Sequence, residues 1–204
     1  MANPQPLNSS NKQEIKDKLK LKSDEEVYFY WYLVELLEKK IILNFESAPK
    51  SITLSLPVKF EKTVQGKRVQ KTLSKKLLNE HIYTPDFEIL WNAALCSKFA
   101  ANTKTVLFNK DIPFLKSEPV NYSCIEVKPA FDHQGMQRLF TINQKWVYEK
   151  TGIYVQKIIP QELFDKTFTP KNVISDPDLI YKKGALEGMS KIKWNVRSLE
   201  DFLK

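Results

Sequence analysis

The rhythm of apolar positions changes several times along the chain. Residues 1–11 have no apolar period and are rich in Pro, Asn and Ser, which predicts a flexible tail. Residues 12–22 set Ile15, Leu19 and Leu21 among five lysines, the pattern of a short helix with a basic face. Ser23 with Glu26 forms a capping-box signature that opens a helix to about Lys40. Its core stripe is expected to be Val27, Tyr30, Trp31, Leu33, Val34 and Leu37. Strand patterns follow at 41–45 and 52–60, the latter with Pro57 marking an edge or bulge. Residues 62–76 are basic around Gly66, a hairpin tip. Further strands are predicted at 82–91, 122–128 and 153–159, with a helix from Gln134 to Lys150 stopped by Gly152. Residues 92–120 read as an irregular insertion with a short strand at 105–108. From Pro160 the chain turns helical and basic.

These elements predict an α/β protein: one mixed central β-sheet flanked by helices, a single domain with basic tails. The expected division is an N-terminal basic segment at 1–22, a core at 23–159 and a basic helical extension at 160–204. Charge sharpens the picture. The 204 residues carry 32 Lys and Arg against 24 Asp and Glu, a formal +8, which favours a polyanionic partner such as nucleic acid. Cys96 and Cys124 have no disulfide or zinc spacing, and His81 and His133 are too few for a histidine-rich metal centre. The polar N-terminus lacks a secretory pattern and no apolar run is long enough to span a bilayer, so a cytoplasmic protein is expected.

Chemistry concentrates in two strands. Along Cys124-Ile125-Glu126-Val127-Lys128, alternation points Ile125 and Val127 into a core and Glu126 with Lys128 to the other face. In Thr84-Pro85-Asp86-Phe87-Glu88-Ile89, Asp86 and Glu88 share a face. If Asp86 pairs beside Glu126, two carboxylates converge and repel unless a cation lies between them. Mg²⁺ suits such a pair, because it binds through one or two carboxylates, waters and phosphate oxygens.

The stretches Tyr83-Thr84-Pro85-Asp86-Phe87 and Ile125-Glu126-Val127-Lys128-Pro129 resemble the signature of the PD-(D/E)XK nuclease superfamily. The first, from His81, is similar to phage endonuclease I, a junction-resolving family; the second also resembles the TnsA-type transposon endonucleases. The resemblance covers roughly 23–159 in element order and implies a restriction-endonuclease-like core. It further implies a Mg²⁺-dependent DNA endonuclease, with Mn²⁺ able to substitute, acting on branched DNA in a bacterial host or phage-infected cell. Alternative readings are a transposition or restriction endonuclease, with recombination or transposition partner subunits, and a non-catalytic DNA-binding protein on a nuclease fold. The family pattern assigns catalysis to Asp86, Glu126 and Lys128 and places a further acid in the preceding helix. Glu26 fits it as a third metal ligand beside Asp86 and Glu126, with Glu25 as the fallback, although the helix cap competes for Glu26.

Gln144 and Tyr148 lie one helical turn apart and resemble a motif of RecB-type exonucleases; the other reading is a polar turn of a surface helix. His133 is a candidate proton donor. DNA backbone contacts are expected from Lys67, Arg68, Lys71, Lys75 and Lys76, from Arg138, Gln144 and Lys145, and from Lys182, Lys183, Lys191, Lys193 and Arg197. No helix-turn-helix or zinc-finger pattern is present, which points to recognition of DNA shape. A symmetric homodimer is expected for cutting a two-fold junction.

Overall fold

The computed structural model describes residues 11–65, 69–99, 122–130, 134–180 and 190–204, without the side chains of 97–98, 134–137 and 180. The protein is mixed α/β. Helices α1 (Lys12–Leu19) and α2 (Asp24–Glu38) precede strands β1 (Ile42–Ser47), β2 (Ile52–Ser55), β3 (Val58–Gln65), β4 (Gln70–Leu78), β5 (His81–Tyr83) and β6 (Phe87–Trp91). A short 3-10 turn at Cys96–Phe99 leads on to β7 (Tyr122–Val127), α3 (Gln134–Thr151) and β8 (Val155–Ile158). Short helices follow among the described residues: α4 (Pro160–Lys166), α5 (Lys171–Ile174), α6 (Pro177–Ile180) and α7 (Leu199–Leu203).

The main sheet has the order β1-β6-β7-β8. Its first three strands are antiparallel and β8 joins β7 in parallel, the crossover being α3. One face packs on α2 through Phe87, Ile89, Trp91, Ile125, Val127 and Ile158. The other face packs on α3, where Cys124 and Val155 meet Phe140 and Val147. Gly152 ends α3 with φ 73°, and its N–H donates to the Tyr148 carbonyl at 2.8 Å. A side chain there would strain that left-handed turn.

Three departures from the sequence pattern have physical causes. The predicted strand 52–60 is two strands, parted at Leu56-Pro57, because proline cannot donate to a ladder. The predicted strand 82–91 is also two, parted at Thr84-Pro85-Asp86. β5 therefore leaves the main sheet and pairs with β2, while β6 pairs with β1 and β7. Third, α2 is buried on all sides from Glu26 to Leu33, not along one stripe. A helix apolar all round needs cover all round. Here the chain's flanking segments supply it: Ile15 from α1, then Leu163, Phe164, Phe168, Val173 and Leu199 from the C-terminal portion.

The described parts of both flanking segments thus contribute side chains to the core. Tyr32 stacks on Phe168 with ring centroids 4.3 Å apart, and its hydroxyl donates to Thr167 Oγ1 at 3.0 Å. Lys12 donates to the buried Asp176 at 2.9 Å, and the Tyr28 hydroxyl donates to the same carboxylate at 2.9 Å. A carboxylate buried this way is tolerated because its acceptor positions are filled. Among the described residues no helix is long and apolar enough to cross a membrane. The short strand expected at 105–108 lies outside the described residues, as does most of the 92–120 insertion.

Candidate active site

Asp86 sits where β5 gives way to β6. Its backbone is pinned from both neighbouring strands: Asp86 N–H donates to the Ile125 carbonyl at 3.0 Å, and its carbonyl accepts from Ala48 N–H at 2.8 Å. Ala48 holds φ 46°, a costly conformation for a residue with a Cβ, so the chain stores strain at this position. Phe87 pairs with Ile125 in the β6–β7 ladder, so the register sets Asp86 opposite Glu126. Where the Pro85 break interrupts the ladder, the Asp86 carboxylate takes over as acceptor: Val127 N–H donates to Oδ2 at 2.8 Å.

Glu126 is fixed at both oxygens. The Tyr83 hydroxyl donates to Oε2 at 2.6 Å and Lys128 Nζ donates to Oε1 at 2.8 Å. Both Glu126 and Lys128 are mostly buried, with 12% and 16% of their side chains accessible. Lys128 is anchored in turn by its backbone N–H, which donates to the Ile158 carbonyl at 2.8 Å. An ion pair so short of solvent is oriented much more firmly than a surface pair.

Electrostatics record the crowding. Burial pushes the Asp86 carboxyl up to about 7, and the neighbouring Glu126 and Glu26 charges add to the rise. The Val127 N–H and Lys128 oppose it without cancelling it. Burial also drives the Tyr83 hydroxyl upward, with Glu126 next in effect, so Tyr83 stays a neutral donor at physiological pH.

Glu26 stands at the margin. Its Oε2 accepts from Lys22 N–H at 2.9 Å and its Oε1 from the Ser23 hydroxyl at 3.2 Å, while its own N–H donates to Ser23 Oγ at 3.1 Å. Ser23 thus caps the helix as a capping box requires, while the Glu26 carboxylate reaches one residue further back, to Lys22, and meets Asp86 as a charge rather than as a converging ligand. Among the described residues no three His, Cys, Asp or Glu side chains form a group able to hold a metal ion. The three-carboxylate set expected from the sequence is therefore not assembled, because the helix cap holds Glu26 back. Two carboxylates remain, Asp86 and Glu126, facing each other on adjacent strands. Their mutual repulsion fits a hard divalent cation, and Mg²⁺ requires no more than two such ligands from a protein.

Two neighbours of Glu126 have no signal in the spacing of the sequence. The Tyr83 hydroxyl meets Glu126 because the Pro85 break turns β5 toward the β2 side. Lys157 is set beside Glu126 by the parallel β7–β8 register. Each arrangement depends on which strands become neighbours, which local pattern does not encode.

The remaining candidates are scattered. Lys71, Lys75 and Lys76 are exposed on β4, and Arg138 and Lys145 are exposed on α3. Gln144 Nε2 donates to the Val155 carbonyl at 2.6 Å, which ties α3 to β8, while Tyr148 is exposed. The Arg197 guanidinium donates to the carbonyls of Lys166 and Thr167 and lies over the Phe202 ring, so it closes the end of α4. Lys191 and Lys193 are exposed. His81 stacks on Trp146 with centroids 5.3 Å apart and hydrogen-bonds Asn143 at 2.9 Å, holding β5 to α3. Lys67, Arg68, His133, Lys182 and Lys183 lie outside the described residues.

A scan against protein-family models finds no match to this chain, and neither curated proteins nor solved structures show a significant similarity to it.

Proposed function

We propose that the protein is a metal-dependent DNA endonuclease built on a PD-(D/E)XK-type core, with Asp86, Glu126 and Lys128 at its active centre. One observation carries the reading: the β6–β7 register, continued one residue past Phe87 and Ile125, sets Asp86 against Glu126, and Lys128, the residue after β7, pairs with Glu126. Isolated, each short motif is weak; an opposed carboxylate pair with an adjoining lysine is an arrangement that can support metal-assisted phosphodiester hydrolysis.

Asp86 and Glu126 would hold Mg²⁺, or Mn²⁺ in its place. Such an ion, when bound, supplies charge neutralisation at the phosphate and acidifies water. The chain's own residues do the rest. Lys128 offers a preorganised positive charge to the negative charge that develops on the phosphate. Tyr83 and Lys128 together fix the orientation of the Glu126 carboxylate, and the Ala48 and Ile125 backbone bonds fix Asp86. Glu26 contributes negative potential and a stable start to α2.

The substrate we favour is branched DNA, cut by a homodimer inside a bacterial or phage-infected cell. The test is cleavage of labelled linear duplex, single strand, flap and four-way junction, with Mg²⁺ or with EDTA, using wild type beside Glu126→Ala. Metal-dependent cutting of the junction, abolished in the variant, is the expected result. Absence of cutting by the wild type with both Mg²⁺ and Mn²⁺ overturns the reading.

A further inference from the structure

The β3–β4 hairpin stands apart from the site just described. All eight residues of β3 and all nine of β4 are exposed, so neither face is covered by the body of the protein. Cross-strand partners share a face, and on one face, from Phe60 to Val64, each pair joins an apolar side chain to a lysine: Phe60 with Lys75, Leu73 with Lys62, Val64 with Lys71; below a bulge at the base, Val58 faces Leu78. Lysines and apolar groups therefore alternate in a checkerboard, with Lys62 between Phe60 and Val64 on β3 and Leu73 between Lys71 and Lys75 on β4, so that each edge of the ribbon carries positive charge. Phe60, Val64 and Leu73 are 42%, 39% and 44% exposed, a cost in water that docking would remove. The opposite face is polar, with Thr63 against Thr72 and Gln65 against Gln70, and at its base Lys59 lies directly opposite Lys76. Like charges set opposite each other destabilise a ladder, and an anion beside them reverses the penalty.

The sequence from Val58 to Leu78 holds seven Lys and Arg and one acidic residue, Glu61, a net +6 out of the chain's +8. Two such ribbons repel, which disfavours a second copy of the chain as the occupant. A polyanion is favoured instead. An eight-residue strand extends about 26 Å, and a two-stranded ribbon fits the major groove of B-form DNA, which is about 12 Å wide. A single-strand platform would need a row of stacking aromatics, and this face offers only Phe60.

We infer that the β3–β4 ribbon is a duplex-DNA-binding arm that enters the major groove by its Phe60–Leu73 face, with Lys62, Lys71 and Lys75 on the phosphates of the two walls. The inference rests on DNA being the partner but not on cleavage, so its test is run in EDTA. Binding of the full-length protein to a short fluorescent duplex is measured by anisotropy across a salt series, for wild type, for Lys62→Gln/Lys71→Gln/Lys75→Gln, and for Lys18→Gln/Lys20→Gln/Lys204→Gln. The last variant removes the same charge elsewhere. Circular dichroism and melting should match wild type for both, since the substituted side chains are exposed or only surface-paired. Each neutralised phosphate adds about 0.9 to the slope of log K against log salt, so the ribbon variant is expected to lower that slope by about 3 and the control to leave it unchanged. Duplex RNA, with its narrow deep major groove, is expected to bind more weakly than duplex DNA. The inference is overturned if both variants weaken binding equally, if single strand binds more tightly than duplex, or if the ribbon variant changes only the oligomeric mass by light scattering. Ribbon failure with Mg²⁺-dependent cutting intact would leave the active-site proposal standing; loss of cutting with the slope change intact would do the reverse.

Discussion

Replacing Asp86 by Asn should stabilise the metal-free protein, and by an amount that depends on pH in one direction only. The folded-state carboxyl is raised from 3.8 to about 7, chiefly by burial and secondarily by Glu126 and Glu26. At about 1.36 kcal/mol per pH unit, that displacement corresponds to an upper figure of about 4 kcal/mol. The sign follows from which state holds the proton. Well below pH 3.8 Asp86 is neutral whether the chain is folded or unfolded, and it costs nothing. As pH rises from 4 to 7, the unfolded chain releases the proton freely while the folded chain is penalised for doing so, so wild-type stability falls. Above 7 the penalty is complete. Asn keeps an oxygen that can accept from Val127 N–H and carries no charge, so it escapes the loss. Urea denaturation of wild type and Asp86→Asn in EDTA, from pH 4 to pH 8.5, should give a difference curve that is small at the acid end. It should rise in favour of the variant through neutrality and flatten beyond it. A flat difference curve, or one that favours wild type at high pH, refutes the account of Asp86 as a buried carboxylate held in repulsion.

Four further outcomes follow from the same geometry. Mg²⁺ should raise the melting temperature of the wild type at pH 8 in a thermal-shift series and leave Asp86→Asn and Glu126→Gln little changed, because the ion relieves the carboxylate repulsion only when both partners are present. Tyr83→Phe removes the donor to Glu126 Oε2 and should weaken Mg²⁺ affinity by about tenfold in calorimetric titration, the usual scale for removing a group that orients a ligand. Glu46 and Glu88 are direct partners across β1 and β6, and Glu88 is raised first by burial and then by Glu46. Glu88→Gln should therefore raise the melting temperature at pH 8 and do little at pH 3.5, where the carboxyl is already protonated in both states. Arg197→Ala leaves two carbonyls at the end of α4 without their donor and should cost about 1–3 kcal/mol in urea denaturation.

Local signals in the sequence were sufficient for the helix starts and stops. Ser23 and Glu26 mark the cap of α2, and Gly152 marks the end of α3, since each is set by bonds within a few residues. Alternation put Asp86 and Glu126 each on a defined face of its strand, but their opposition stayed conditional, because it depends on β6 and β7 becoming neighbours in this register. Burial around α2 was not. Its aromatic run, Tyr28 to Tyr32, reads as one stripe plus excess, and only the distant Phe164, Phe168 and Leu199 explain the excess. Glu26 shows the same limit in reverse. A carboxylate at that position suits both a helix cap and a metal, and the choice depends on where its oxygens settle, a matter of side-chain geometry rather than spacing. Arg197 and Gln144, legible as surface polar residues, are occupied by backbone carbonyls that tertiary folding brings to them.

The enclosure of α2 has a consequence for how the chain is made. Tyr32 and its partner Thr167 are 135 residues apart, and Phe164 and Phe168 lie in the same distant segment. At about 5–20 residues per second, a ribosome takes roughly 7–27 s to produce that segment after Tyr32 has been added. Throughout that interval α2 can cover only part of its aromatic surface, with α1 and the first strands. The nascent chain therefore passes most of its synthesis with the aromatic surface of α2 only partly covered. Complete cover of α2 has to wait for the C-terminal segment to arrive.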